Sequence, residues 1–216
     1  MPETRPHFRL FGIPVRVEPV FFVIAVLFGA SAAQDVDGGI NITILSAWVA
    51  VTFVSILVHE LGHALTLKVF GHPSEIVLQG LGGVTISHRR LARGRSVAVS
   101  LAGSLTALVL LWLPAAMLKG GDWYWDQSLW VRAAVYFTAF ANLWWSVANL
   151  LPIRPLDGGN VVTELFGAKT SRRVSLVAAA GGGIWAFQNE QQFAGIFALM
   201  LAFQSWQEIS AESRAG

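Results

Sequence analysis

The stretch Val58-His59-Glu60-Leu61-Gly62-His63-Ala64 decides how the rest of this chain is read. It sits inside a hydrophobic run, with Ile42 to Val58 before it and Leu65 to Phe70 after it. On a helix, residues four apart share a face, so His59 and His63 can present two imidazoles to one metal ion. Glu60, one residue further round, is placed to take a proton from a water beside that ion. The fixed content of H-E-x-x-H is three residues, a weak signal alone. Its surroundings strengthen it, because two histidines and a glutamate are costly in apolar company unless they serve a site.

The composition agrees with that setting. Of 216 residues, 54% are hydrophobic and 13% charged, and the mean hydropathy is +0.56. Soluble domains are nearer ~25% charged, so the chain reads as an integral membrane protein in a lipid bilayer. There is no cysteine. Neither a disulfide nor a thiolate zinc site is available, and any zinc must be held by histidine and carboxylate.

Taken in order, Met1 to Glu18 carries Arg5, Arg9 and Arg16 and reads as a cytoplasmic tail, not a signal peptide. Val20 to Ala33 is a first span, short against the ~20 residues a bilayer asks for. Ile42 to about Phe70 is the second, stopped by Gly71-His72-Pro73. Ile76 to Ser87 has short β-prone runs around Gly80-Leu81-Gly82-Gly83, the pattern of a hairpin. An open strand edge is not tolerated in lipid, so this hairpin belongs at the interface or along a cavity. His88-Arg89-Arg90 and Arg93-Gly94-Arg95 form a basic loop, read as a headgroup anchor and not as a nucleic-acid site. Ser96 to Leu118 is the third span and Leu129 to Leu151 the fourth, with Trp123-Tyr124-Trp125 between them as an interfacial belt. Val161 to Phe166 is a short helix, and Val174 to Phe187 and Phe193 to Trp206 are two further short apolar stretches.

The expected fold is therefore an all-α polytopic membrane protein of about six transmembrane helices, with a short membrane-associated β-hairpin between spans 2 and 3. It reads as one domain over residues 1–216, with a catalytic core of about 42–160 and C-terminal helices over about 174–207. With six spans, one side keeps only Lys119 and Arg132 of the 15 basic residues. The positive-inside rule then makes both termini cytoplasmic, in a multi-pass protein of the cell membrane.

Two histidines need a third protein ligand. Asp157 is the candidate, within Asn149-Leu150-Leu151-Pro152-Ile153-Arg154-Pro155-Leu156-Asp157-Gly158-Gly159. It follows the fourth span on the face where His59 and His63 lie, and the prolines and glycines break the helix there. Broken backbone at depth is tolerated where it lines a polar cavity. A plain Asp-Gly turn is the alternative for this residue.

On these residues the chain resembles the site-2 protease family of intramembrane zinc metalloproteases, in its compact six-span form without PDZ or CBS domains. The matching motifs are His59-Glu60-Leu61-Gly62-His63, Asn149-Leu150-Leu151-Pro152 through Leu156-Asp157-Gly158-Gly159, Gly80-Leu81-Gly82-Gly83-Val84 and Phe11-Gly12-Ile13-Pro14-Val15. The resemblance implies hydrolysis of a peptide bond in the transmembrane helix of a single-span substrate, such as a membrane-tethered regulator. It assigns His59, His63 and Asp157 to one Zn2+ and Glu60 to the general base. It suggests Asn149 as a contact to substrate backbone or developing oxyanion, and the hairpin at Gly82 and Gly83 as the edge that a substrate strand joins. Asn142 lies two turns before Asn149 on the same helix face, either a second substrate contact or an interhelical hydrogen bond. The third span departs from the family's Ala-Gly-Pro-x-x-Asn: here it reads Ala102-Gly103-Ser104-Leu105-Thr106-Ala107, and its role is read as packing.

The alternative class is a non-proteolytic zinc-binding membrane protein or transporter. A ligand-only site has no need of Glu60, and a non-catalytic relative acting as an adaptor is expected to lose Glu60 or Asp157. The substrate's identity and the oligomeric state are not written in these residues.

Overall fold

The computed structural model of the chain describes residues 6–35, 37–80, 82–87 and 91–215. Residues 1–5 of the expected tail, Leu81 of the glycine-rich turn and His88-Arg89-Arg90 of the basic loop lie outside the described residues. The chain divides into two compact units, one of residues 1–90 and 102–146, the other of 91–101 and 147–216.

The first unit starts with a sheet that extends the expected hairpin. Strands β1 (Phe8–Leu10) and β2 (Ile13–Val17) form an antiparallel pair. Phe11 and Gly12 join them at φ 52° and 80°, the left-handed geometry of a tight two-residue turn. Strand β2 then runs parallel to β3 (Glu75–Gln79), which pairs antiparallel with β4 (Gly82–Ile86). The order is β1-β2-β3-β4, so β4 is an edge. Residues read as a tail are thus strands for part of their length. The alternation that makes them so is Ile13 and Val15 inward against Pro14 and Arg16, hidden in the sequence by three scattered arginines.

Helix α1 (Pro19–Ala32) begins on a proline, whose missing N–H costs nothing in a first turn. Helix α2 (Ile42–Val69) is 28 residues, about 42 Å at ~1.5 Å per residue. Asn41 caps its start by accepting from the Ile44 N–H at 3.2 Å. Gly71, at φ 76°, ends it with the His72 N–H returning to the Leu67 carbonyl, as in a Schellman cap. The inner face of the sheet (Ile13, Val15, Ile76, Leu78) and Phe21 of α1 pack with Ile56, Leu57, Leu61 and Ala64 into one buried cluster. The half of α2 that carries the histidines is therefore backed by the sheet.

The third expected span is one helical stretch with an interruption. Helix α3 (Arg93–Ala107) passes through a π-helical turn over Leu108–Trp112 into α4 (Leu113–Lys119). Pro114 has no N–H to give the preceding turn, and the ladder resets there, with the Leu113 N–H reaching the Leu108 carbonyl. A 3-10 turn over Asp122–Asp126 leaves Trp123 and Trp125 exposed and buries Tyr124. Helix α5 (Leu129–Asn149) follows.

In the second unit, residues 150–156 form a break that includes a cis Arg154-Pro155 bond. Helices α6 (Asp157–Phe166), α7 (Ala168–Gln188) and α8 (Gln192–Ala215) complete it. The last two are longer than the apolar stretches that announced them. Their polar ends stay helical, tied by Arg172 to Glu212 at 2.8 Å, while Glu208 of α8 pairs with Arg154 of the break at 3.0 Å. Their contact is close because Gly183 meets Leu199 and Gly195 meets Phe187. Among the described residues, two helical stretches, Ile42–Val69 and Arg93–Lys119, are long and apolar enough to cross a membrane. Helix α1 is apolar but shorter.

Candidate metal centre

In the first unit α2 brings His59, Glu60 and His63 together, all three buried. The His59 and His63 Nε2 atoms are 3.1 Å apart, with the rings edge-on at 81°. Two imidazole nitrogens on one tetrahedral zinc, each at ~2.0–2.1 Å, stand roughly 3.3 Å apart. The pair fits such an ion, and the helical spacing of four is what produces it.

The neighbouring helix makes room for these rings. A Cβ at Gly103 of α3 would run into Nε2 of His63 and lie 2.9 Å from Nε2 of His59. A Cβ at Gly62 would stand 2.6 Å from the Ala102 carbonyl oxygen and 2.9 Å from the Gly103 Cα. The two helices thus cross glycine against glycine, with the imidazoles against bare backbone. Gly103 thus packs directly against both imidazoles, in keeping with the packing role expected for the third span. The signal lay in Gly62, the small x residue of the motif itself.

Glu60 is held from the sheet. The Thr85 hydroxyl lies 2.7 Å from Glu60 Oε2 and 3.1 Å from its backbone oxygen, donating between them. A Cβ at Gly83 would stand 2.5 Å from Glu60 Cγ and 2.9 Å from Cδ, so no other residue lets β4 approach the side chain this closely. Gly83 and Thr85 share a face of β4 by the two-residue period, and that face covers the carboxylate. Thr85 escaped the sequence reading because a threonine in a strand has many ordinary uses. Gly82 faces another way, with Trp145 about 3.5 Å from where its Cβ would be.

Helix α5 is hydrogen-bonded to α2 one turn ahead of His59. Asn142 is 2% exposed, and its Nδ2 donates to Ser55 Oγ at 2.8 Å and to the Thr138 carbonyl at 2.9 Å. Of its two readings, the geometry shows the interhelical hydrogen bond. Ser55 is one turn before His59. Ser146, the next residue on that stripe, donates to the Ser104 carbonyl at 3.3 Å, beside Gly103. His7 accepts from the Val17 N–H at 3.1 Å and belongs to the sheet.

The second unit holds Asn149 and Asp157, both half-buried. Asp157 opens α6, where a carboxylate is favoured by the helix dipole. Gly158 and Gly159 behind it are buried. A Cβ at Gly158 would strike the Leu150 and Leu151 carbonyls, and one at Gly159 would stand 2.6 Å from the Arg154 nitrogen. Glycine at both positions is therefore what this close backbone approach requires.

Comparison with known proteins gives a family and a fold that this chain resembles. The model of peptidase family M50 matches residues 114–186, a stretch that includes Asn142, Asn149 and Asp157. A zinc metalloprotease of Methanocaldococcus jannaschii is 26% identical over 178 residues, 82% of this chain and 49% of its own length. A Synechocystis sp. protein is 29% identical over 167 residues, 72% of this chain and 42% of that protein. The chain spans about half the length of these curated relatives or less. In structure it is similar to the site-2 protease from Methanocaldococcus jannaschii, with a TM-score of 0.61, 20% identity and coverage of 94% of this chain and 93% of the other. Motif, partial family match and relatives thus liken the chain to peptidase family M50, and its fold is that of a site-2 protease.

Proposed function

We propose that this chain is an intramembrane zinc endopeptidase that cleaves a transmembrane helix of a single-span membrane protein near the cytoplasmic side. The observation that carries it is the buried Glu60 carboxylate, gripped by Thr85 of an edge strand and adjacent to two convergent imidazoles. A metal-storage site or a transporter has no use for a carboxylate so placed.

His59 and His63, both buried, would hold the ion, with the half-buried Asp157 as the proposed third donor. Zinc there would supply Lewis acidity, bringing the pKa of a water down from its bulk value toward ~7 and polarising the scissile carbonyl. Thr85 engages Oε2 of Glu60, so Oε1 takes the water's proton and later returns it to the leaving amine. An amide within a helix has its groups already paired, and the substrate must unwind to be cut. The free edge of β4 at Gly82 and Gly83 offers those groups new partners, in the manner of strand addition. Asn149 contacts the substrate backbone or the developing oxyanion. Asn142 keeps its amide on Ser55 and supports α2.

The chain crosses the membrane about six times with both termini cytoplasmic. Support for this is the basic-residue asymmetry together with two helical stretches long and apolar enough to span. Glu60→Gln is expected to retain zinc and to abolish cleavage of a model transmembrane substrate. Retained turnover would remove Glu60 as the base.

A further inference from the structure

The second unit contains a pair of buried hydroxyls whose hydrogen bonds fall on both sides of Asp157. Ser171 and Ser175 are one turn apart on α7, and each is 0% exposed. Ser175 Oγ accepts from the Arg154 N–H at 3.0 Å and reaches the Pro152 carbonyl at 3.4 Å. Ser171 Oγ donates to the Gly159 carbonyl at 3.0 Å and lies 2.8 Å from Thr163 Oγ1, which itself reaches the Gly159 carbonyl at 2.9 Å. One serine therefore holds the break before Asp157, and the other holds the first turn after it.

The reason for hydroxyls here is local. Residues 150–156 are not helical, so Arg154 N–H and Pro152 C=O lack ladder partners. Buried backbone polar groups left without partners are costly, most of all where no water enters. The same face of α7 continues with Ala179, Gly183 and Ala186, where it packs against α8 and needs no hydroxyl. Serine appears on this stripe only opposite the Asp157 segment. Two further contacts fasten the break: Ile153 is buried with Ala179, Leu201 and Ala202, and Arg154 pairs with Glu208.

We infer that Ser171 and Ser175 are positioning residues for Asp157: they fix the 152–163 segment so that its carboxylate is presented to the metal. This rests on Asp157 being a zinc ligand, as proposed above. Residues that orient a metal's ligands typically contribute 10–100-fold in metal affinity, which sets the size of the expected effect.

The test is a thermodynamic cycle on the full chain in detergent, reading zinc affinity by competition with a chelator. Ser171→Ala with Ser175→Ala is expected to weaken zinc binding about tenfold or more, and Asp157→Ala to weaken it further. In the Asp157→Ala background the two serine substitutions should then cost nothing more, because the residue they act through is gone. Equal losses in both backgrounds, or no loss in either, would overturn the inference while leaving Asp157 as a ligand. Unchanged affinity in Asp157→Ala alone would instead remove the ligand assignment, and the positioning role with it. Should the double serine variant fail to fold, Ser175→Ala alone goes through the same cycle, and Ser205→Ala on α8 reports the effect of losing a buried serine as such.

Discussion

The two halves of the proposed centre place their groups by different means. In the first unit His59, Glu60 and His63 ride on an unbroken helix, and their relative positions follow from its period. Their neighbours act by closeness: Gly62, Gly83 and Gly103 bring bare backbone against the working side chains. In the second unit Asp157 stands after a break, and hydroxyl groups on another helix hold it. Where regular structure supplies direction, sequence has only to clear space. Where the backbone is irregular, side-chain hydrogen bonds must supply it.

This contrast can be broken most easily at Gly103. Gly103→Ala should push α3 off the imidazoles, costing about 1–3 kcal/mol as overpacking does, and zinc content should fall with it. Metal analysis and thermal unfolding of the purified protein measure both, and a variant with native zinc and native stability would end the account of space-clearing. At Thr85 the expected effect falls on turnover and not on zinc. Losing a hydrogen bond to a charged group is worth about 1.5–3 kcal/mol, so Thr85→Ala should lower kcat about tenfold or more with zinc unchanged, and Thr85→Ser should restore it. A drop in zinc content instead would mean that β4 supports the ligands and not the base. The smallest effect belongs to the pair Ser55 and Asn142. A double-mutant cycle with alanine at both should give a coupling near ~0.6 kcal/mol in stability, the average for such bonds between membrane helices. A coupling near zero would show that helix period alone orients His59.

Much of this was legible beforehand. The H-E-x-x-H helix was, because four-residue spacing and an apolar frame are features of sequence, and α2 has the bounds that Asn41 and Gly71 suggest. Asp157 stood out as one of the few acidic residues near membrane depth, and the break announced by the prolines and glycines around it is present. The β3–β4 hairpin was visible from its glycines. Other features were hidden for identifiable reasons. The β1–β2 hairpin is too short for its alternation to outweigh three arginines. Thr85 and Gly103 matter through neighbours twenty-five and forty residues away, and nothing local marks them. Ser171 lies before the apolar stretch Val174 to Phe187 and Ser175 within it, and nothing local marks either, although both are among the best-buried residues. The polar helical ends were missed because their polarity is satisfied within the fold.

The π-helical turn at Leu108–Trp112 has its own consequence. One extra residue in a turn advances the helix by about 100°. The face on which Gly103 meets the histidines is therefore not continued by the residues eight or twelve positions later. Beyond Pro114 the same helix presents a different meridian, so its inner and outer halves can answer to separate neighbours. A scan of substitutions along it should be read as two phases, and a periodicity fitted to one half will mislead in the other.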